Sequence, residues 1–222
     1  LSGSGKRLST QRRNGIYTSF TLAGLEDMRA VRDTARRFAD FGVPDSLDEK
    51  TLIDVGCNVG AMMFEAARRG ATVTGVEFND ERVALCRAIA EYYGPVGQGV
   101  IGPTAMYSYV HAAIGRAETH QFDVNSPWEH GSVSWARTYD VVMCSSVDEY
   151  VVDRHAFYEQ LHGLCSPTGT LYFESNLQDG TTELETMSRL RLVGFADVQY
   201  IGNGHSGGIS RKRKLFRAGR SS

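Results

Sequence analysis

Residues 51–79, TLIDVGCNVGAMMFEAARRGATVTGVEFN, constrain this chain more than any other stretch. Leu52-Ile53-Asp54-Val55 is a short apolar run broken by one carboxylate, and Gly56-Cys57-Asn58-Val59-Gly60 turns it into a helix. That helix is predicted over 61–70 and ends in Arg68-Arg69-Gly70, with cations and a glycine where a helix C-terminus favours them. Thr72-Val73-Thr74-Gly75-Val76 reads as a second, β-branched strand closed by Glu77. A strand-helix-strand unit with glycines in its first turn lets a ligand approach the backbone closely at the carboxyl ends of the strands, where Glu77 is placed to accept hydrogen bonds from a ribose diol.

The turn separates two kinds of nucleotide site. A dinucleotide fold wants G-x-G-x-x-G, whose second glycine leaves room for a pyrophosphate on the helix N-terminus. Here the turn is Gly-Cys-Asn-Val-Gly, with a side chain in that position, and Asp54 stands just before it. A carboxylate there repels phosphate and suits a ligand carrying an ammonium and a sulfonium. Asp54-Val55-Gly56 through Gly60, followed by the acid at Glu77, resembles the D-x-G-x-x-x-G motif and second-strand acid of the class I S-adenosyl-L-methionine-dependent methyltransferases.

Length and composition agree with one compact unit. At 222 residues and 41% hydrophobic the chain can bury a full core, and its formal net charge of −2 does not announce a polyanionic partner. No apolar run approaches the ~18 residues of a membrane span, so no membrane partner is expected. Cys57, Cys86, Cys144 and Cys165 are scattered without C-x-x-C spacing, which points to reduced thiols and a cytoplasmic setting. No metal site is expected, and the sequence sets no oligomeric state.

Along the chain, residues 1–15 read as a flexible arm that starts with the remnant-like Leu-Ser-Gly-Ser-Gly, 16–48 as a cover segment and helix, and 49–220 as the ligand-binding domain. Leu25, Met28, Val31, Ala35 and Phe38 recur at spacings of three and four, predicting a helix over 25–41; 16–22 is a short strand or cover. Asp80 is expected to cap a helix reaching Tyr93. Strands are predicted at 120–124, 139–144 and 170–174, with Ser166-Pro167-Thr168-Gly169 as a turn. Helices over 153–164 and 182–192 and a final antiparallel pair over 195–201 and 214–218 complete the order. The alternation gives an α/β fold: a doubly wound, mostly parallel seven-stranded sheet with an antiparallel last strand and helices on both faces.

The resemblance assigns roles to residues. It implies that Asp54, Gly56, Cys57, Asn58 and Gly60 form the turn under the methionine moiety, that Glu77 binds the ribose and that Phe78 flanks the adenine. Asp123 and Val124 would meet the adenine edge, and Cys144 and Ser145 would line the methyl-donor pocket. After the fourth strand comes Cys-Ser-Ser-Val-Asp-Glu-Tyr, neither the N/D-P-P-Y/F motif of base amino-methylation nor a Pro-Cys motif. Asp148 and Glu149 there are candidate general bases or helix-capping residues. His205, in a glycine-rich segment over 202–208, is a further candidate, whereas His155 and His162, on one predicted helix, read as face residues.

The implied activity is methyl transfer from S-adenosyl-L-methionine to a hydroxyl, or an amine, of a small molecule such as a sugar or natural-product intermediate. Tyr17, Phe20, Tyr107, Tyr109, Trp128 and Trp135 are candidate apolar walls for it. Two alternatives stand beside this. The basic arm and the tail Arg211-Lys212-Arg213-Lys214, with Arg217 and Arg220, could engage the phosphates of a tRNA, or could be a charged edge strand. A non-catalytic interaction protein with a degenerate pocket is the other.

Overall fold

The computed structural model describes residues 18–20, 30, 32–93, 117–121, 123–125, 138–176, 179–204 and 213–220. Seven strands, β1 (Thr51–Val55), β2 (Thr72–Glu77), β3 (Ala117–Gln121), β4 (Tyr139–Ser145), β5 (Cys165–Ser175), β6 (Phe195–Gly204) and β7 (Arg213–Arg220), form one sheet in the order β3-β2-β1-β4-β5-β7-β6. The first five run parallel, and β7 lies antiparallel between β5 and β6. The described helices are α1 (Thr34–Phe41), α2 (Ala61–Arg68), α3 (Asp80–Tyr93), α4 (Arg154–Leu164) and α5 (Glu183–Leu192).

Strands buried on both faces must be apolar on both, and alternate residues here feed two separate cores. Leu52, Val141, Met143, Tyr172 and Leu215 pack with Phe38 and Phe41 of α1 and Met63 and Phe64 of α2. Ile53, Val55, Val142, Cys144, Phe173 and Phe216 pack with Phe157, Tyr158 and Leu161 of α4 and Leu190 of α5. All four cysteines are buried and free.

Several elements depart from the sequence expectations. Ala30, Arg32 and Asp33 are not helical. Asp33 caps α1 by accepting from Arg36 N at 2.7 Å, and Arg32 forms an isolated parallel bridge to Thr18. Periodicity continued through this cap, but the cap and the bridge set the helix start. Leu25, Met28 and Val31 lie outside the described residues. The strand expected over 120–124 ends at Gln121, because Asp123 Oδ1 accepts from Asn125 N at 2.9 Å and closes a turn. Asn79, one residue before Asp80, caps α3 through Arg82 N at 2.9 Å. Ser166–Gly169 is not a turn: β5 follows α4 directly, and a register shift between Tyr139 and Val141 accommodates it. The basic β7 is an interior strand, so its charge does not protect an edge.

Candidate functional site

The turn after β1 is built by backbone geometry. Gly56, Asn58 and Gly60 adopt φ of 76°, 55° and 85°. Gly56 N and Cys57 N both donate to Val76 O, at 2.8 and 3.0 Å, folding the turn back onto β2. A Cβ on Gly56 would lie 2.4 Å from Val147 Cγ2, and one on Gly60 2.8 Å from Cys86 Sγ, so both positions exclude larger residues. Asn58 tolerates the left-handed region and uses its side chain to accept from Val59 N at 2.8 Å. Cys57 points the other way, into the core at 5% exposure. A hydrogen bond with Cys86 and burial push its thiol well above the ordinary range.

Glu77, at the end of β2, accepts from Asn58 N (2.9 Å), Asn79 N (3.1 Å) and Arg82 Nη1 (3.3 Å). A carboxylate offers about four acceptor positions, so Glu77 fixes the turn and keeps capacity for one more donor. The adjoining Phe78 is 67% exposed. Asp123 sits just beyond β3 and Val124 packs partly buried against the α4-side core. Asn125, which the sequence reading did not single out, clamps this loop to the segment after β4. Its side chain donates to Tyr150 O at 3.1 Å and accepts from Val152 N at 2.9 Å.

Past β4 two of the predicted site residues are fully buried. Cys144 is wholly buried in the α4-side core, because strand alternation sends it to the face opposite Asp54. Burial pushes its thiol well up. Ser145, one residue on, returns to the Asp54 face. Asp148 does not point over the site. A 3-10 turn (Asp148–Tyr150) rotates it inward to full burial, where its carboxylate accepts from Ser175 Oγ (2.5 Å) and Asn176 N (3.0 Å) and joins the ends of β4 and β5. Burial raises its pKa against those two hydrogen bonds. Glu149 is exposed and accepts from Asn176 Nδ2 at 2.6 Å. His205 lies outside the described residues, as do Tyr17, Tyr107, Tyr109, Trp128 and Trp135. Phe20 is 3% exposed and packs on Phe64 within the α1-side core.

Asp54 is 2% exposed, and its Oδ2 has no hydrogen-bond partner among the described residues. Burial raises its pKa to about 7; Arg37 opposes the rise and Glu77 adds to it. A buried carboxyl group with an unused oxygen, set under a glycine turn, fits the ammonium of an amino-acid moiety. Beside it lies a charge cluster that sequence reasoning missed. Glu174, at the end of β5, is wholly buried and accepts from Arg32 Nη1 at 2.8 Å, Arg213 Nη1 at 3.2 Å and the Ser146 hydroxyl. Burial acts to raise its pKa, but Arg37, Arg32 and Ser146 outweigh burial and hold it at about 2. The arginines come from before α1, from α1 and from β7, so no local spacing announces them. Among the described residues no cluster of three or more His, Cys, Asp or Glu could hold a metal ion, and no helix is long and apolar enough to cross a membrane.

A family model described as a methyltransferase domain matches residues 25–212. Among curated proteins, the ubiquinone biosynthesis O-methyltransferase of Histophilus somni is 24% identical over 131 residues, covering 59% of this chain and 47% of that protein. The norajmaline N-methyltransferase of Rauvolfia serpentina is 24% identical over 184 residues, covering 77% and 54%. The chain thus spans about half the length of these relatives. Among solved structures, the magnesium protoporphyrin IX methyltransferase of Synechocystis with bound S-adenosylmethionine superposes with a TM-score of 0.61 at 18% identity, covering 85% of this chain and 78% of that one. A glycopeptide N-methyltransferase complexed with the same molecule gives 0.59 at 13% identity, covering 86% and 95%. The sheet order and its antiparallel β7 agree with that fold.

Proposed function

The chain belongs to the class I S-adenosyl-L-methionine-dependent methyltransferases, and on that premise we propose that it transfers a methyl group to a hydroxyl or an amine of a small-molecule acceptor. The observation that carries the cofactor side of this reading is Asp54, a buried carboxyl group whose Oδ2 has no hydrogen-bond partner among the described residues, under the glycine turn. The cofactor supplies an electrophilic methyl group on a sulfonium. The residues of this chain hold and orient. Asp54 takes the ammonium, Gly56, Asn58 and Gly60 shape the floor, and Glu77 accepts from the ribose, with a ribose hydroxyl competing with the long Arg82 contact. Phe78 flanks the adenine, and Asp123 and Val124 meet its edge. Aligning nucleophile, methyl and sulfur accounts for much of such a reaction.

A hydroxyl acceptor must also lose a proton, and with Asp148 turned inward, Glu149 becomes the first candidate to receive it, oriented by Asn176. His205 remains the second. The names of the relatives, an O- and an N-methyltransferase of small-molecule pathways, support a hydroxyl or amine acceptor. So does the tail. Arg213 is buried on Glu174, Lys214 Nζ donates to Thr181 O, Arg217 to Gln199 and Arg220 to Cys165 O, so these four cations already hold protein groups.

The test is S-adenosylhomocysteine release in the presence of a panel of phenols, sugars, amines and bulk tRNA. Turnover with a small molecule and salt-insensitive, negligible retention on tRNA is the expected result. Turnover with tRNA alone, with retention falling steeply as salt rises, overturns the acceptor class.

A further inference from the structure

Residues 149–152, the part of the segment after β4 that carries Glu149, have little apolar packing to hold them. Tyr150 and Val152 are 68% and 89% exposed, and only Val151 between them packs partly buried on the α4-side core. Two asparagines outside the segment fix it instead. At the β5 end, Asn176 donates its Nδ2 to Glu149 and its N to the neighbouring Asp148. At the other end, Asn125 engages both sides of its carboxamide. Its Nδ2 donates to Tyr150 O at 3.1 Å, and its Oδ1 accepts from Val152 N at 2.9 Å. Val124, beside Asn125, packs on the same core as Val151.

Asn125 belongs to the loop after β3, and β2 and β1 lie between that strand and β4. The bridge therefore spans the ends of the two strands that carry Glu77 and Asp54. Its far side is Asp123. Oδ1 of that carboxylate accepts from Asn125 N at 2.9 Å and from Asn125 Nδ2 at 3.3 Å, and among the described residues no hydrogen bond reaches its Oδ2. A ligand donor on Oδ2 would fix the plane of the carboxylate, and with it the carboxamide that holds Tyr150 and Val152. Linked hydrogen bonds of this kind reinforce one another. We propose that Asn125 is a positioning residue that couples the carboxylate of Asp123 to the segment carrying Glu149, so that cofactor binding orders the acceptor side of the site. This rests on the methyltransferase reading above, with Asp123 at the adenine edge.

The Val152 amide reports the bridge directly, because its N–H donates to Asn125 Oδ1. Hydrogen exchange at that amide is followed by NMR at fixed pH, with and without saturating S-adenosylhomocysteine. In the wild type the ligand slows Val152 exchange at least about threefold. In Asn125→Ala the ligand-free exchange speeds up by a similar factor, and the ligand no longer slows it. Asn125→Asp keeps an acceptor for Val152 N but has no donor for Asp123 or Tyr150. Its ligand-free exchange stays near the wild-type rate while the effect of the ligand is lost, a separation that a merely structural side chain does not produce.

Four results overturn the proposal. One is bound S-adenosylhomocysteine with unchanged Val152 exchange in the wild type. Another is a ligand effect that survives in Asn125→Ala. A third is equal slowing by S-inosylhomocysteine, which lacks the exocyclic amino group and so cannot donate it to Asp123. The fourth is a lower urea midpoint of Asn125→Ala with faster exchange spread evenly over the sheet, which makes Asn125 a general stabiliser. Should Asn125→Ala not fold, the two ligands on the wild type decide. If the wild type binds no S-adenosylhomocysteine, the methyltransferase reading falls instead, and ligand-free Asp123→Ala decides the coupling. It should speed Val152 exchange in the wild-type background and add nothing to Asn125→Ala, whereas additive effects overturn the link.

Discussion

Asp54 carries a conflict that folding alone leaves in place. Burial raises its pKa from 3.8 to about 7, so the folded, ligand-free protein holds a proton that the unfolded chain releases. The stabilising contribution of that protonated group is fully present below the unfolded pKa and is lost as pH rises toward about 7. A ligand ammonium reverses the preference and favours the carboxylate. Affinity for S-adenosylhomocysteine should therefore fall up to about tenfold per pH unit below 7 and level off above it, and Asp54→Asn should flatten the profile. Calorimetry across that range checks both. Asp148 makes a different prediction. Asp148→Ala removes the carboxylate that accepts from Ser175 Oγ and Asn176 N, and a urea titration should show a loss of about 1–3 kcal/mol. Asp148→Asn keeps both contacts and should retain turnover, whereas a 100-fold loss at full stability would restore the base role. At this scale the places of Asp54 and Glu77, near the carboxyl ends of β1 and β2, were legible because a strand-turn-helix pattern sets them by local spacing. The burial of Asp148 was not legible, because closeness to the end of β4 does not reveal the 3-10 turn that rotates it inward. Arg32 and Arg37 were illegible as partners of Glu174, since more than a hundred residues separate them in sequence.

The turn, as an element, depends on space as much as on backbone conformation. Gly56→Ala forces an L side chain into the left-handed region and drives its Cβ into Val147, the residue before Asp148. The left-handed conformation alone costs roughly 1–2 kcal/mol, and the clash adds to it. The expected outcome is a lower unfolding midpoint together with weaker S-adenosylhomocysteine binding, because the same Val147 contact joins the turn to the segment after β4. Unchanged binding and midpoint would disprove that coupling. The parallel strands were readable because doubly buried strands are continuous apolar runs. The boundaries were not, wherever a polar side chain rather than hydrophobic periodicity set them. Asp33 stops α1 short of the predicted start, Asn79 replaces Asp80 as a cap, and Asp123 with Asn125 ends β3 early. β5 ran longer than expected because Pro167 and Gly169 look like a turn in sequence, yet the register shift against β4 accepts them.

For the molecule as a whole, the sheet order is what brings the site together. The β1, β2 and β4 ends meet at the centre, and the crossover to β7 delivers Arg213 from the last strand to the end of β5. Topology of this kind follows from the alternation of strands and helices, so the fold was legible, while the charge cluster it assembles was not. The central claim is that this edge of the sheet binds S-adenosyl-L-methionine through Asp54 and Glu77. Isothermal titration of the wild type and Glu77→Ala with S-adenosylhomocysteine and with NAD tests it most directly. Saturable binding of S-adenosylhomocysteine, weakened in Glu77→Ala by on the order of 1–3 kcal/mol, with NAD binding more weakly, is the predicted result. Tighter binding of NAD, or S-adenosylhomocysteine affinity that Glu77→Ala leaves untouched, would contradict it.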